Sequence, residues 1–223
     1  VMLGSVFAST AAAATKCACG HSPVVMISGF GATVLAEKQE DGSLKRVFPP
    51  DTKEILKLLG VNAPDVITGI IKLIAQKGTD GIEKPMREII TSIVEPLRMN
   101  DDGTSFYDIV PILSSAKDTS LEAFTKNGQL DLVPYTGSEF LDMEVIGDEI
   151  GDDHVFNFLY DWRLSHADVA AQLHDYLAEV CALTGHDKVS VYSISQGCLL
   201  LGGYMDEYTD ESYSDGGGGA TST

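Results

Sequence analysis

The sequence predicts an α/β fold on a mostly parallel sheet, and three observations predict it. Short apolar, β-favouring runs recur at residues 23–32, 155–160 and 189–194, the length of buried strands and too short for helices. Between the last two, Val169, Ala170, Leu173, Tyr176, Leu177 and Val180 recur at helical spacing until Gly185 closes the segment. Strand, helix and strand then form a right-handed βαβ unit whose strands are parallel and adjacent or nearly so. Finally, the third run breaks at Ser195, and residues 197–205 resume as the small-residue start of a helix.

The chain of 223 residues with 44% hydrophobic content is long enough to bury a sizeable core as one domain. Its charge is one-sided: 15 Lys and Arg against 33 Asp and Glu leave a net −18. That balance excludes nucleic acid as a partner and electrostatic docking on anionic lipid, so any membrane contact has to be apolar. The four cysteines, Cys17, Cys19, Cys181 and Cys198, lack the paired C-x2-C spacing of a metal site, and no metal or cofactor is assigned from sequence. Cys17 and Cys19 are too close for an easy bridge, while Cys181 and Cys198 flank the serine strand and read as buried free thiols.

Taken in order, residues 1–14 are apolar and small, like the end of a signal peptide with an A-x-A cleavage site, so the chain is expected to be secreted. Residues 1–22 are read as this remnant and a linker. No run reaches the roughly 18 apolar residues that span a bilayer. Residues 23–32 form the first strand and end in Gly29-Phe30-Gly31, a turn that bends sharply. Residues 51–59, 65–77 and 84–98 carry apolar residues at helical spacing, punctuated by Pro49-Pro50, Pro64, residues 78–81 and residues 100–103. They predict a helical cap inserted at about 45–150 into a core that spans 23–207. The second of these helices is apolar on most of its surface and reads as a packed cap helix, with an apolar lipid-interface contact as the other meaning. Asn100-Asp101-Asp102-Gly103-Thr104 lacks the ligand spacing of a calcium loop and is read as a turn. The strand at 155–160 runs into Asp161-Trp162-Arg163, on the rim where α/β proteins bind ligands. Asp161 and Arg163 are expected to pair there, with Trp162, the only Trp of the chain, packed beneath. Residues 208–223 are acidic, rich in Gly and too poor in apolar surface to fold, and read as a flexible tail.

The chemistry is expected at Ser195. A strained strand-to-helix turn lifts a serine hydroxyl above the sheet and aims the next backbone N–H at a forming oxyanion. Such a turn brings two backbones close together and wants small residues two places either side, here Ser193 and Gly197. The pattern Ser193-x-Ser195-x-Gly197 is a relaxed form of Gly-x-Ser-x-Gly. Ser195 is the candidate nucleophile, and the backbone N–H groups of Phe30 and Gln196 are the candidate oxyanion hole. Gly29, Gly31, Asp161, Trp162, Arg163 and Gly197 are the candidate supporting residues.

Three stretches together resemble the lecithin:cholesterol acyltransferase family of α/β-hydrolases, which includes lysosomal phospholipase A2-type enzymes: residues 23–35, Tyr160-Asp161-Trp162-Arg163-Leu164, and 188–197. The resemblance implies an incomplete α/β-hydrolase-type sheet and acyl transfer on lipid esters through an acyl-enzyme on Ser195. Two departures stand out. Ile194 and Ser193 occupy positions where the family has His preceded by Gly or Ala. All five histidines, His21, His154, His166, His174 and His186, precede Ser195, whereas the acid and the His of such a triad follow the serine. The chain is therefore expected to end before its triad Asp and His and to have little or no esterase activity by itself. A non-catalytic binding or surface protein on the same scaffold, and a small-ester hydrolase or peptidase of the same fold, are the alternatives.

Overall fold

The computed structural model describes residues 17–208 apart from 63, 65, 79–81 and 133–137. The signal-peptide reading of 1–14 and the flexible-tail reading beyond Tyr208 lie outside the described residues. The fold is mixed α/β. Among the described residues it has six strands, β1 (Val24–Ile27), β2 (Leu35–Lys38), β3 (Leu44–Phe48), β4 (Ile109–Pro111), β5 (Val155–Phe158) and β6 (Ser190–Ser193). Seven α-helices accompany them: α1 (Thr52–Leu59), α2 (Val66–Lys77), α3 (Glu83–Val94), α4 (Leu121–Lys126), α5 (Ser138–Ile150), α6 (His166–Thr184) and α7 (Gln196–Tyr208).

The three apolar runs form one parallel sheet in the order β5-β1-β6, Val24 lying opposite Val155 on one side and Ser190 on the other. The strands joined by α6 are thus one place apart, with β1 between them. Alternate residues of β1 and β5 serve two cores. Val25, Ile27, Phe156 and Phe158 face α6 and α7, joined by Leu173, Tyr176, Val180 and Leu200. Met26 and Val155 face the opposite layer, with Leu121 and Phe124 of α4 and Met143 of α5. Being covered on both faces, these strands read as near-continuous apolar runs, broken in β5 by the buried Asn157.

Three expectations are corrected. The segment at about 45–150 is not simply a helical cap: β2 pairs antiparallel with both β3 and β4 in a second sheet, and α4 and α5 cover the main sheet. Short strands carrying Glu37, Lys38, Lys45 and Arg46 give no apolar run to read. Second, β6 is not fully buried. It pairs with β1 along one side only among the described residues, so Ser190 and Tyr192 are exposed and only Val189 is deeply covered. Third, Cys198 is exposed and Cys181 half-buried rather than both being core thiols, and both are free. Burial still pushes the Cys181 thiol up.

Helix ends follow their caps. Asp51 accepts from Lys53 N–H to start α1, and Ser165 accepts from Asp168 N–H to start α6. α3 stops at Val94 and tightens into a short 3₁₀ turn over Glu95–Leu97, because Pro96 has no N–H to continue it. α1, α2 and α3 share a small core of Leu59, Leu73 and Ile89. α2 leaves Ile67 and Ile71 72% and 61% exposed, so it is only partly a packed helix. Residues 100–104 form a turn closed on itself, with Asn100 N–H donating to Thr104 C=O and Thr104 N–H to the Asp102 carboxylate.

Gly197 marks where α7 meets the sheet. A Cβ built there would lie 2.4 Å from the Ile27 carbonyl oxygen and 2.9 Å from that of Ser28, both backbone atoms that cannot swing aside. Gly197→Ala is therefore expected to cost about 1–3 kcal/mol, as overpacking does. Gly202→Ala on the same helix, where a Cβ meets nothing within 4 Å, is expected to gain about 0.5–1 kcal/mol from helix propensity. Urea denaturation of the two variants checks both signs; equal midpoints would contradict the close approach.

Candidate functional site around Ser195

β1, β5 and β6 run parallel, so their carboxyl ends open on one edge of the sheet, and all the residues singled out from sequence gather there. Ser195 lies between β6 and α7 with φ 54°, the one non-glycine residue with positive φ among the described residues. A side chain held in this region costs of order 1–3 kcal/mol and persists only where its surroundings impose it. Three backbone bonds impose it: Ile194 N–H donates to Ile27 C=O at 3.0 Å, Gly197 N–H to Ile194 C=O at 2.9 Å and Cys198 N–H to Ser195 C=O at 3.0 Å. Ser195 itself is exposed at the rim.

The loop after β1 packs directly on it. A Cβ on Gly29 would sit 2.9 Å from Ser195 Cβ and 3.3 Å from its Oγ, so only glycine leaves room for the serine side chain. The loop turns back through an Ala32 N–H to Gly29 C=O bond, with Gly31 at φ 73°. Phe30 follows Gly29 and is 69% exposed, its ring edge-on to Trp162 at 4.4 Å between centroids. Gln196 opens α7, where the first backbone N–H groups have no partner inside the helix. Its side-chain Nε2 donates to Trp162 C=O at 3.0 Å, tying the serine turn to the end of β5. Among the described residues, no hydrogen bond occupies the backbone N–H of Phe30 or of Gln196.

Beneath the rim, Arg163 grips Asp161 in a fork, Nε to Oδ1 at 2.9 Å and NH2 to Oδ2 at 2.6 Å, and Arg163 N–H also donates to Oδ1 at 3.1 Å. Both side chains are only 3% exposed. The same guanidinium reaches Ser105 Oγ, holding the loop before β4. Trp162 is buried in the main core, 6% exposed, and packs edge-on against both Phe30 and Phe48. Tyr160 O–H donates to Ser28 C=O at 2.8 Å, and burial pushes this phenol up to about 12, so it stays a neutral donor. Ser28 Oγ, Trp162 Nε1 and Gln196 Oε1 are buried with no partner among the described residues. Unpaired polar atoms of this kind are uncommon in a folded interior.

The arrangement offers a strained, exposed hydroxyl and two unoccupied main-chain donors on flanking turns. It does not offer an adjacent base: among the described residues no histidine hydrogen-bonds Ser195. His174 stacks on Tyr208 of α7 at 4.6 Å, His154 and His186 meet at the other edge of the sheet, and His166 is half-buried at the start of α6. A separate cleft of about 510 Å³ between β3, α1 and α3, lined by Arg46, Pro50, Glu54, Leu58 and Ser92, shares no residue with this rim. The sequence did not reveal the gathering of Cys17, Cys19, His154 and His186 at the amino end of the sheet, since the residues lie far apart in the chain. No family model matches the chain, and no curated protein or solved structure matches it either.

Removing one partner of a buried ion pair leaves an uncompensated charge, which costs about 3–5 kcal/mol. Asp161→Ala is expected to lose that much stability, and the double variant Asp161→Leu with Arg163→Met to recover most of it. Chemical denaturation of the three proteins checks this; a double variant as unstable as the single would show that the fork's hydrogen bonds, not its charges, matter.

Proposed function

We propose that this chain carries the nucleophile and oxyanion hole of a secreted serine acyl hydrolase or acyltransferase acting on lipid esters, on an α/β-hydrolase-type scaffold. The observation that carries the reading is Ser195 at φ 54°, wedged between Gly29 and Gly197 at the carboxyl end of a parallel sheet. Acyl transfer needs a hydroxyl that approaches an ester carbonyl without its own backbone in the way, and a tight strand-to-helix corner supplies that exposure. It also needs donors where negative charge develops, and the free N–H groups of Phe30 and Gln196 stand on the turns either side. Attack by Oγ gives a tetrahedral oxyanion, loss of the alcohol leaves the Ser195 ester, and water or a second alcohol then takes the acyl group.

Lipid esters are favoured by apolar surface and by charge. Phe30 at the rim, with Ile67 and Ile71 on α2 and Ile90 and Val94 on α3, are exposed apolar side chains in a chain of net charge −18. Such a surface suits acyl chains or a neutral lipid interface and repels anionic headgroups. No helix among the described residues is long and apolar enough to cross a membrane. One observation favours the non-catalytic binding alternative: no imidazole pairs with Ser195 among the described residues. An oxyanion hole and binding without a complete triad retain about 10³–10⁴-fold over water, against losses of about 10⁴–10⁶.

A fluorophosphonate probe tests both readings on the whole chain, with labelled peptides identified by mass spectrometry. Ser195 is expected to be labelled selectively over Ser193 and Ser190, slowly, and not at all in Ser195→Ala. A long-chain alkyl probe is expected to react faster than a methyl one. Equal labelling of Ser193 and Ser195 would overturn the catalytic reading, and preference for the short probe would overturn the lipid assignment.

A further inference from the structure

The amino end of the parallel sheet, opposite Ser195, gathers four soft and borderline donors from three distant parts of the chain. Cys17 and Cys19 come from the segment before β1, His154 from the turn that leads into β5, and His186 from the loop between α6 and β6. Their Sγ and Nε2 atoms all lie within 4.8 Å of one another. His154 Nε2 is 3.3 Å from His186 Nε2 and 3.8 Å and 3.7 Å from the sulfurs of Cys17 and Cys19, while Cys19 Sγ is 3.4 Å from His186 Nε2.

We propose that Cys17, Cys19, His154 and His186 form a structural Zn2+ site that pins the segment before β1 to the amino edge of the sheet. A tetrahedron with Zn–N near 2.05 Å and Zn–S near 2.3 Å has edges of about 3.3 Å between nitrogens and about 3.6 Å between nitrogen and sulfur. These four separations match those edges to within a few tenths of an ångström. Two thiolates and two imidazoles on a tetrahedron select zinc over the oxygen-seeking magnesium and calcium. Four protein donors close the coordination shell, which marks a structural site, since catalytic zinc keeps a position open for water.

The surroundings have what a zinc site needs beyond its ligands. Asp153 Oδ1 sits 2.8 Å from His154 Nδ1, which places the ring proton on Nδ1 and leaves Nε2 as the lone-pair donor toward the metal. Cys19 N–H donates to Cys17 Sγ at 3.4 Å, which orients the sulfur. The two imidazole planes stand at 81°, so both nitrogens converge on a point without stacking. Cys17 N–H donates to Gly185 C=O at 3.0 Å and His186 N–H to Cys181 C=O at 3.2 Å, fixing the backbones that present the donors. Cys19 is exposed, so the ion has a way in. Binding forms two Zn–S and two Zn–N bonds, and the two thiol protons leave to solvent, so affinity falls as the pH drops. The sequence pattern Cys-x-Cys with two remote histidines differs from paired C-x2-C, and only the fold closes it.

The test uses the whole chain and the metal alone. Protein purified from zinc-supplemented culture is expected to carry one equivalent of zinc by elemental analysis. Exchange into Co2+ is expected to give the visible ligand-field bands of a tetrahedral ion with thiolate-to-metal charge transfer in the near ultraviolet. Cys19→Ser and His186→Ala are expected to lose stoichiometric zinc, and Asp153→Asn to weaken zinc binding about 10–100-fold in competition with a chromophoric chelator. Because a ligand variant can fail to fold, the Co2+ spectrum of the unaltered chain stands as the independent readout. Substoichiometric zinc together with no Co2+ spectrum, or a spectrum lacking thiolate bands, would overturn the site.

Discussion

The contact on which the site depends is that of α7 against the carboxyl end of β1. With Gly197 close over the Ile27 and Ser28 carbonyls, the chain has only Ile194 and Ser195 in which to leave β6 and enter the helix. No ordinary β or α conformation at Ser195 makes that corner, and φ 54° follows. The strain sits on one residue because the chain is held on both sides of it: Ile194 by its bond to Ile27, and Gly197, two residues on, by its bond to Ile194. β1 therefore does two things at once. Its middle is the spine of the sheet, and its end supplies both the carbonyls that force the corner and the Gly29 turn that leaves room for the hydroxyl.

The rim is built outward from that corner by contacts that cross between strands. Gln196 reaches the Trp162 carbonyl, Trp162 meets Phe30 and Phe48, and the Asp161–Arg163 fork ties the end of β5 to Ser105 near β4. A buried ion pair contributes little net stability against its desolvation, so its value here is geometric: a bidentate fork fixes direction as a single bond does not. The second sheet, which looks peripheral in the chain, enters here as well, because Phe48 at the end of β3 forms the far wall behind Trp162.

What the sequence made legible divides along burial. Runs covered on both faces, such as 24–27 and 155–158, were visible as apolar strands, and α6 was visible from its caps and spacing. The serine corner was visible because close backbone approach demands small residues, and Gly197 and Gly29 are both there for that reason. The second sheet was not legible, since β2 and β3 mix charge with apolar residues and β4 has three residues. Pro96 was in plain view, yet helical spacing carried the third helix past it. The four donors at the amino edge were hidden by sequence separation: Cys17 and His154 are 137 residues apart, and no local spacing records a contact made by parallel strands starting side by side.

The two edges of the sheet are under opposite demands, and the placement of residues follows from them. At the carboxyl edge Ser195 is held at a positive φ, and Ser28 Oγ, Gln196 Oε1 and Trp162 Nε1 are buried and unpaired among the described residues. Each such feature lowers stability, and tolerance of them depends on rigidity elsewhere. β6 is the weakest holder of that rigidity, an edge strand of four residues paired on one side among the described residues. His186 lies four residues before β6 and His154 immediately before β5, so a metal bound between them fixes the starts of both strands that flank β1. The proposed zinc site thus braces the sheet at the end opposite Ser195, and the short strands carry that constraint to the turn where Ser195 is held.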